Sequence, residues 1–200
     1  MDLTQVKASL EKNGFTVSVF EDAAAAAAYL NGSVDGVTVG FGGSVTLEEL
    51  GLYDLLSAHN TVYSHWHCAA DKKAETLRAA QTADVYMASV NGLAETGEIV
   101  NIDGTGNRVS GIQFGHRKVY LIAGSNKLAP DLTAAVERAR NIAAPKNAQR
   151  LCRKTPCAEK GDRCYDCASP ERICRGVSVL LKKPGGCDYE VVLVGTALGY

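Results

Sequence analysis

Short apolar segments alternate with helix-forming segments along most of the chain, and this order restricts the possible folds more than any other feature. Residues 15–20 and 119–123 are rich in β-branched and aromatic side chains, as is typical of strands. Residues 2–12 and 131–143, which adjoin such segments, favour helices. Parallel strands need long crossover connections, which are usually helical. The sequence therefore predicts a three-layer, Rossmann-like α/β fold, in which a mainly parallel sheet carries helices on both faces.

Two helix ends are predicted from residues that terminate or break helices. The alanine-rich run that begins at Ala23 favours a helix, and Asn31-Gly32 is expected to stop it, because glycine commonly follows the last helical turn. The helix over residues 131–143 is expected to end at Pro145, since proline lacks the amide proton that a helix interior needs.

The length and composition are those of one globular domain, which we predict to span residues 1–200. The net charge of −1 provides no general attraction to nucleic acid or to an anionic membrane. The first 14 residues have acidic side chains early and no apolar core, unlike a signal peptide. No apolar run reaches the roughly 18 residues that a membrane-spanning helix needs. We expect a cytoplasmic protein that binds neither nucleic acid nor membrane.

Three glycine-rich or polar loops directly follow predicted strands. Ligands of open α/β sheets bind beyond the carboxyl ends of the strands, and glycines let backbone N–H groups approach an anion closely. The predicted ligand-binding residues are Gly40, Gly42, Gly43, Ser44 and Thr46 in the first loop, Asn101, Gly104, Thr105, Gly106, Asn107 and Arg108 in the second, and Asn126 and Lys127 in the third. The alternatives are a strand-to-helix turn capped by Ser44 and a surface lysine at position 127.

Two carboxylates near the second loop are candidate catalytic groups. Asp103 and Glu95 could transfer protons to or from a bound ligand, since carboxylates are common general acids and bases. The alternative is that these carboxylates are solvated and that Thr96-Gly97 forms an ordinary hairpin turn.

Five of the seven cysteines lie within 23 residues, in a segment that is also rich in arginine and lysine. We predict that residues 149–176 form a cysteine-rich lobe inserted in the domain. Nearby positive charge favours the thiolate form, which is the form that binds metals. The candidate ligands of zinc or an iron–sulfur cluster are Cys152, Cys157, Cys164, Cys167 and Cys174. Redox-active disulfides and free thiols remain alternatives, and so does a separate site made of Cys68 with His65 and His67.

Several of these segments resemble the LUD-domain (lactate-utilisation) family. The similarity lies in residues 40–46, 95–108, 124–127, 144–147 and 155–174, and it extends over about the whole chain. It implies a fold like that of the superfamily of ribose-5-phosphate isomerases, glucosamine-6-phosphate deaminases and CoA-transferases. It also implies a role in the oxidation of lactate to pyruvate, beside iron–sulfur or oxidoreductase partner proteins. Association into a homo-oligomer is a further expectation.

A wider resemblance bears on whether the protein is an enzyme. Residues 88–105 are similar to a loop of methylthioribose-phosphate isomerases, but the aspartate of that loop corresponds to Asn91 here. An amide cannot transfer the proton that isomerisation requires, so Asp103 or Glu95 would have to replace it. Three functions therefore stay open, namely binding of a small anionic metabolite, an enzyme acting on a sugar phosphate or CoA ester, and a metal or redox module.

Overall fold

The computed structural model describes residues 3–200, so residue 2, where the first helix is predicted to begin, lies outside the described part. Its main sheet has six strands, all parallel, which confirms the mainly parallel sheet. In spatial order the strands are β1 (Thr16–Phe20), β10 (Asp188–Val194), β7 (Lys118–Gly124), β4 (Val85–Ser89), β2 (Thr38–Phe41) and β3 (Thr61–Tyr63).

A second, four-stranded sheet packs against one face of the main sheet. Its strands, in spatial order, are β8 (Leu128–Ala129), β5 (Gly92–Ala94), β6 (Ile99–Asp103) and β9 (Gly176–Leu180). β6 is antiparallel to both neighbours, whereas β5 and β8 are parallel. Leu93 and Ile99 join the same buried cluster as Leu121 of the main sheet. The small sheet thereby holds the end of β6 close to the carboxyl edge of β4.

Helices cover both faces of the main sheet, as predicted. On one face α1 (Leu3–Lys12), α5 (Lys73–Ala80) and α6 (Asn107–Gln113) contribute buried residues, and on the other α2 (Ala23–Ser33), α3 (Val45–Glu49) and α4 (Leu52–Ser57) do so. Val119 and Leu121 of β7 face the first group, and Tyr120 and Ile122 face the second. This alternation follows from the two-residue period of a strand.

Both predicted helix ends are wrong, for different physical reasons. α2 continues through Gly32 to Ser33, where a glycine is tolerated because the last turn of the helix is exposed. Beyond α7 (Leu132–Arg138), the chain forms a π-helical turn over Ala139–Ala143 and then α8 (Ala144–Arg150). Pro145 lies in the first turn of α8. The wide turn changes the hydrogen-bond register just before the proline, so its missing N–H is tolerated as at a helix start.

The cysteine-rich segment joins α8 to β9 and contains one short helix, α9 (Pro156–Lys160). It is attached to the second sheet by the N–H of Arg175, which donates to the carbonyl of Asp103 at 3.1 Å. The interpretation of residues 149–176 as an inserted lobe of a single domain stays a prediction. Among the helices of residues 3–200, none combines the length and apolar character needed to cross a membrane.

Candidate functional site

A cavity of about 270 Å³ opens where the carboxyl ends of several strands meet. Its volume lies near the lower end of the range of ordinary small-molecule sites. The residues that line it from the strand ends are 42–46 after β2, His65 and Trp66 after β3, 89–91 at the end of β4, and 102–105 at the end of β6. Side chains from α5, α6 and α8 complete the wall, together with Arg153 and Ile173 of the cysteine-rich segment.

Most of the predicted ligand-binding residues meet in this cavity. Those that line it are Gly42, Gly43, Ser44, Thr46, Gly104, Thr105, Asn107, Arg108 and Lys127, with the candidate acid Asp103. The first and third loops follow β2 and β7, whose carboxyl ends lie at the same edge of the parallel sheet. The second loop follows β6, which belongs to the second sheet and is antiparallel to both neighbours, so the rule for parallel strands does not account for its place at the cavity.

Five predicted residues lie outside the lining and have other contacts. Gly40 packs against α5, because a Cβ there would lie 2.2 Å from the carbonyl oxygen of Ala80. Gly106 has a φ of +90° and caps α6. The Asn126 side chain accepts from the N–H of Leu198 at 3.1 Å and donates to the carbonyl of Gly199 at 3.0 Å, so it anchors the last residues of the chain.

The other two are Asn101 and Glu95. Asn101 is only 2% exposed, and its Oδ1 has no hydrogen-bond partner within the described residues. Glu95 begins the turn between β5 and β6, where its N–H donates to the carbonyl of Ala129 at 2.8 Å. Since Glu95 does not line the cavity, its predicted catalytic role would require a different ligand position.

The first loop approaches the cavity without side-chain bulk. Gly43 has a φ of +59°, and a Cβ on it would lie 2.6 Å from Cε1 of His65. Ser44 accepts a hydrogen bond from the N–H of Leu47 at 3.4 Å, so it caps α3, as the alternative interpretation predicted. Thr46 donates to Oγ of Ser89 at 3.0 Å, which joins the loop to β4. The N–H of Gly42 donates to the carbonyl of Met87 at 2.9 Å, so this amide is engaged within the sheet.

Asp103 and Arg108 form a rigid part of the cavity wall next to Gly42. Asp103 Oδ1 accepts from the N–H groups of Thr105 at 2.8 Å and Gly106 at 2.7 Å, and its Oδ2 lies 3.6 Å from Nε of Arg108. Arg108 Nη2 donates to Asn91 Oδ1 at 2.7 Å and to the carbonyl of Ile102. Burial lowers the pKa of Arg108, while Asp103 opposes that shift. Both oxygens of Asp103 are engaged, so this carboxylate holds the loop and the guanidinium in place.

His65 is a cavity residue that the sequence reasoning assigned elsewhere. Its Nδ1 is buried and has no hydrogen-bond partner within the described residues. Burial lowers its pKa, the charge of Lys73 lowers it further, and Asp103 has a smaller opposing effect. The imidazole is therefore neutral near pH 7. Its position could have been found by the same rule as the loops, since it follows β3 directly.

Several basic residues of the lining were also missed. The Arg150 guanidinium lies over the ring of Trp66, with 4.5 Å from Cζ to the ring centroid, and accordingly makes a cation–π contact. Arg150 also donates to Asn147 Oδ1 at 2.9 Å. Arg153 and Lys73 are exposed at the cavity. No local motif marks these residues, because they reach the cavity from helices and turns distant in sequence.

The cavity has a strong excess of positive charge. Its ionisable lining includes five basic side chains and one carboxylate, Asp103; the basic residues are Lys73, Arg108, Lys127, Arg150 and Arg153. Lys127 is 2% exposed. Its burial, together with the charges of Arg138 and Arg108, lowers the pKa of its amine to about 7. An anion that enters the cavity would offset this repulsion and favour the protonated amine.

Four of the five clustered cysteines surround a second, much smaller cavity of about 10 Å³. They are Cys157, Cys164, Cys167 and Cys174. The fifth, Cys152, is exposed and does not line it. All cysteines of the chain are free thiols, and within residues 3–200 no group of three or more His, Cys, Asp or Glu side chains already has the arrangement of a metal site.

The alternative site with Cys68 is likewise not assembled. His67 Nε2 instead contacts the carboxylate of Glu48 at 2.9 Å, and its ring stacks on Tyr53 with 3.8 Å between centroids. His65 faces the large cavity. The two histidines therefore lie in different environments and do not form one site.

A comparison with known proteins identifies the family of this chain. The family model of the LUD domain matches residues 3–194. The chain belongs to the LUD-domain family. The crystal structure of a DUF162 family protein from Deinococcus radiodurans is similar to this LUD domain, with a TM-score of 0.53 and 12% identity over 96% of each chain. At that identity the likeness shows a shared fold alone. No curated protein matches the chain.

Proposed function

We propose that this LUD domain binds a small metabolite with a carboxylate or phosphate group and acts in lactate utilisation, in the oxidation of lactate to pyruvate. The observation that carries the proposal is the cavity of about 270 Å³ with five basic side chains against one carboxylate. Such an excess of positive charge at a strand-end cavity favours an anionic ligand. Membership of the LUD-domain family supports the link with lactate.

The basic residues divide into two groups that would serve different purposes. Arg108 and Lys127 are largely buried, Arg108 being held by Asp103 and Asn91 and Lys127 by the carbonyl of Tyr200. They are therefore suited to fixing an anionic group inside the cavity. Arg150 and Arg153 are exposed at the cavity, where they would attract the ligand. A charged ligand group would thus be met by the buried guanidinium of Arg108 and by two exposed guanidinium groups.

A second candidate function, an isomerase or transferase acting on a sugar phosphate or CoA ester, is favoured by His65. A neutral imidazole that lines a cationic cavity is suited to accept a proton from a bound anion. Asp103 is less suited, because its Oδ1 already accepts two backbone hydrogen bonds and its Oδ2 lies 3.6 Å from the guanidinium of Arg108. The parallel sheet with a cavity at its strand ends is consistent with the isomerase, deaminase and CoA-transferase superfamily.

The test of binding uses the exposed arginine at the cavity mouth and its neighbour in sequence. Lactate, pyruvate, sugar phosphates, CoA esters and nucleotides are screened for an increase in the melting temperature, and the affinity of the best ligand is then measured by calorimetry. Arg153→Ala should weaken that affinity by about tenfold or more, since it removes a charge-assisted contact of at least roughly 1.5 kcal/mol. Lys154→Ala, which removes an equal charge outside the lining, should leave the affinity unchanged.

Two outcomes would contradict the proposal. If no anion in the panel raises the melting temperature of the wild-type protein, the cavity is not a site for these metabolites. If Arg153→Ala and Lys154→Ala weaken binding equally, the anion binds through the general charge of the segment and not in the cavity. Stabilisation by lactate or pyruvate in preference to the phosphates would support the role in lactate oxidation.

A further inference from the structure

The four cysteines around the small cavity come from three separate parts of the cysteine-rich segment. Cys157 lies in α9, Cys164 and Cys167 flank a tight turn, and Cys174 precedes β9. A chain of this length can form a sufficient core without cross-links, so the convergence of four thiols is not required for folding. Their shared cavity therefore points to a ligand of the thiols themselves.

The turn between Cys164 and Cys167 already points a backbone donor at sulfur. Asp166 has a left-handed backbone with a φ of +45°, and its N–H donates to Sγ of Cys164 at 3.3 Å. Thr155 Oγ1 lies 3.3 Å from Sγ of Cys157. Hydrogen bonds of this kind orient ligands and stabilise thiolate charge in metal sites.

The charges around the small cavity suit a negatively charged centre. Arg140 and Arg172 line it, and both face Asp166, at 3.6 Å and 3.0 Å. Arg172 also donates to the carbonyls of Cys167 at 2.8 Å and Cys174 at 3.0 Å. Four thiolates with one divalent ion carry a net charge of about −2, and the two guanidinium groups offset most of the combined charge of that centre and Asp166.

We propose that Cys157, Cys164, Cys167 and Cys174 bind one thiophilic divalent metal ion, with zinc as the expected ion. The cavity of about 10 Å³ is comparable to the space of a single water-sized probe, which fits one ion and not a multi-atom iron–sulfur cluster. On binding, the four thiols release their protons to solvent and their sulfurs rotate inward to about 2.3 Å from the ion. No oxidation or reduction is involved.

The proposed metal site is physically joined to the wall of the large cavity. Ala144 and Ile173 line both cavities. Gly104 packs closely against Ile173, because a Cβ on Gly104 would lie 2.7 Å from the carbonyl oxygen of Ile173. A metal at the cysteines would thus stiffen the wall of the anion site at Gly104 and Ile173. This last consequence rests on the proposed function, whereas the metal site itself does not.

The test measures metal content directly. The full chain is purified without oxygen, incubated with zinc, freed of unbound metal and examined by elemental analysis, with cobalt(II) as a spectroscopic probe of four-thiolate geometry. We expect one zinc per chain in the wild type and at least a hundredfold weaker zinc binding after Cys164→Ser or Cys174→Ser. Cys152→Ser, in the same segment but outside the small cavity, should bind zinc as the wild type does. Circular dichroism checks that each variant is folded.

Four results would overturn the proposal. They are wild-type protein without bound metal after incubation, equal loss of zinc in Cys152→Ser and Cys164→Ser, four irons with inorganic sulfide per chain, and disulfides among the four cysteines in protein purified without oxygen. The affinity for the anion is measured in a separate experiment, on zinc-loaded and on zinc-free protein. Failure of anion binding alone would count against the proposed function and leave the zinc stoichiometry as its own result.

Discussion

At the scale of single residues, the cavity depends on places where side-chain bulk is absent. Gly43 is both left-handed and in close contact with the imidazole of His65, so two different constraints select glycine there. The same pair explains why the loop backbone and the imidazole can line one wall. A side chain at position 43 would displace His65 from the cavity.

We predict that Gly43→Ala impairs anion binding more than it impairs stability. A left-handed alanine costs about 1–2 kcal/mol, and the added Cβ would meet His65 Cε1 at 2.6 Å. The affinity for the anion found in the screen should fall by about tenfold, as measured by calorimetry. Gly36→Ala is the matched control, since its φ of +64° is similar but nothing lies within 4 Å of the added Cβ. Equal affinities for the two variants would show that His65 and the loop are not part of the site.

At the scale of helices and strands, glycines that look alike in sequence serve different purposes. Gly40 immediately precedes the loop, yet the structure uses it for the close approach of α5 to β2. Gly32 lies in α2 with open space around its Cα. The conformational freedom of glycine explains neither position, and only the neighbouring elements tell them apart.

We predict opposite effects of alanine at these two positions. Gly40→Ala should lower the free energy of unfolding by about 1–3 kcal/mol, because its Cβ would overlap the backbone of Ala80. Gly32→Ala should raise it by about 0.5–1 kcal/mol, since alanine is the better helix former. Urea denaturation followed by circular dichroism measures both. An unchanged free energy of unfolding in Gly40→Ala would mean that α5 can move away from β2.

The same elements show what the sequence could and could not predict. The apolar run of β7 and the rule that loops at the ends of parallel strands meet at one edge were enough to bring residues 42 and 127 together. Residue 104 reaches the same cavity from β6, a strand of the second sheet, which that rule does not cover. β5 and α6 were not predicted, because Gly92–Ala94 and Asn107–Gln113 carry no clear hydrophobic period and are stabilised by packing on other elements. Arg150 was missed for a related reason, since its direction depends on the π-helical turn before it.

At the scale of the whole molecule, one buried carboxylate makes the stability of the fold depend on pH. Glu190 on β10 is 2% exposed and accepts hydrogen bonds from Lys118 Nζ at 2.7 Å, Tyr29 Oη at 2.6 Å and Ser18 Oγ at 2.8 Å. Burial raises the pKa of Glu190, but these hydrogen bonds and the charge of Lys118 outweigh it, so the pKa lies below its ordinary value of 4.5. The carboxylate therefore stabilises the folded state only while it is ionised.

We predict that the stabilisation by Glu190 is fully present above about pH 4.5 and is lost as the pH falls through its lower folded-state pKa. Above pH 4.5, Glu190→Gln should lower the free energy of unfolding by about 1–3 kcal/mol, because Lys118 loses its partner. The difference from the wild type should shrink on acidification. Asp188→Asn, an exposed change on the same strand, is the control. A difference that is constant from pH 7 to pH 3 would show that the ionisation is not linked to folding.

The π-helical turn over Ala139–Ala143 has a consequence for which way α8 faces. An α-helix advances by about 100° for each residue, and a π-helical turn advances by less. If residues 139–143 formed an ordinary α-helical turn, α8 would be rotated about its axis by roughly a quarter of a revolution. Asn147 and Arg150 would then no longer line the cavity. The direction in which residues 144–150 face, and therefore the position of the Arg150 charge relative to a ligand, depends on this one π-helical turn.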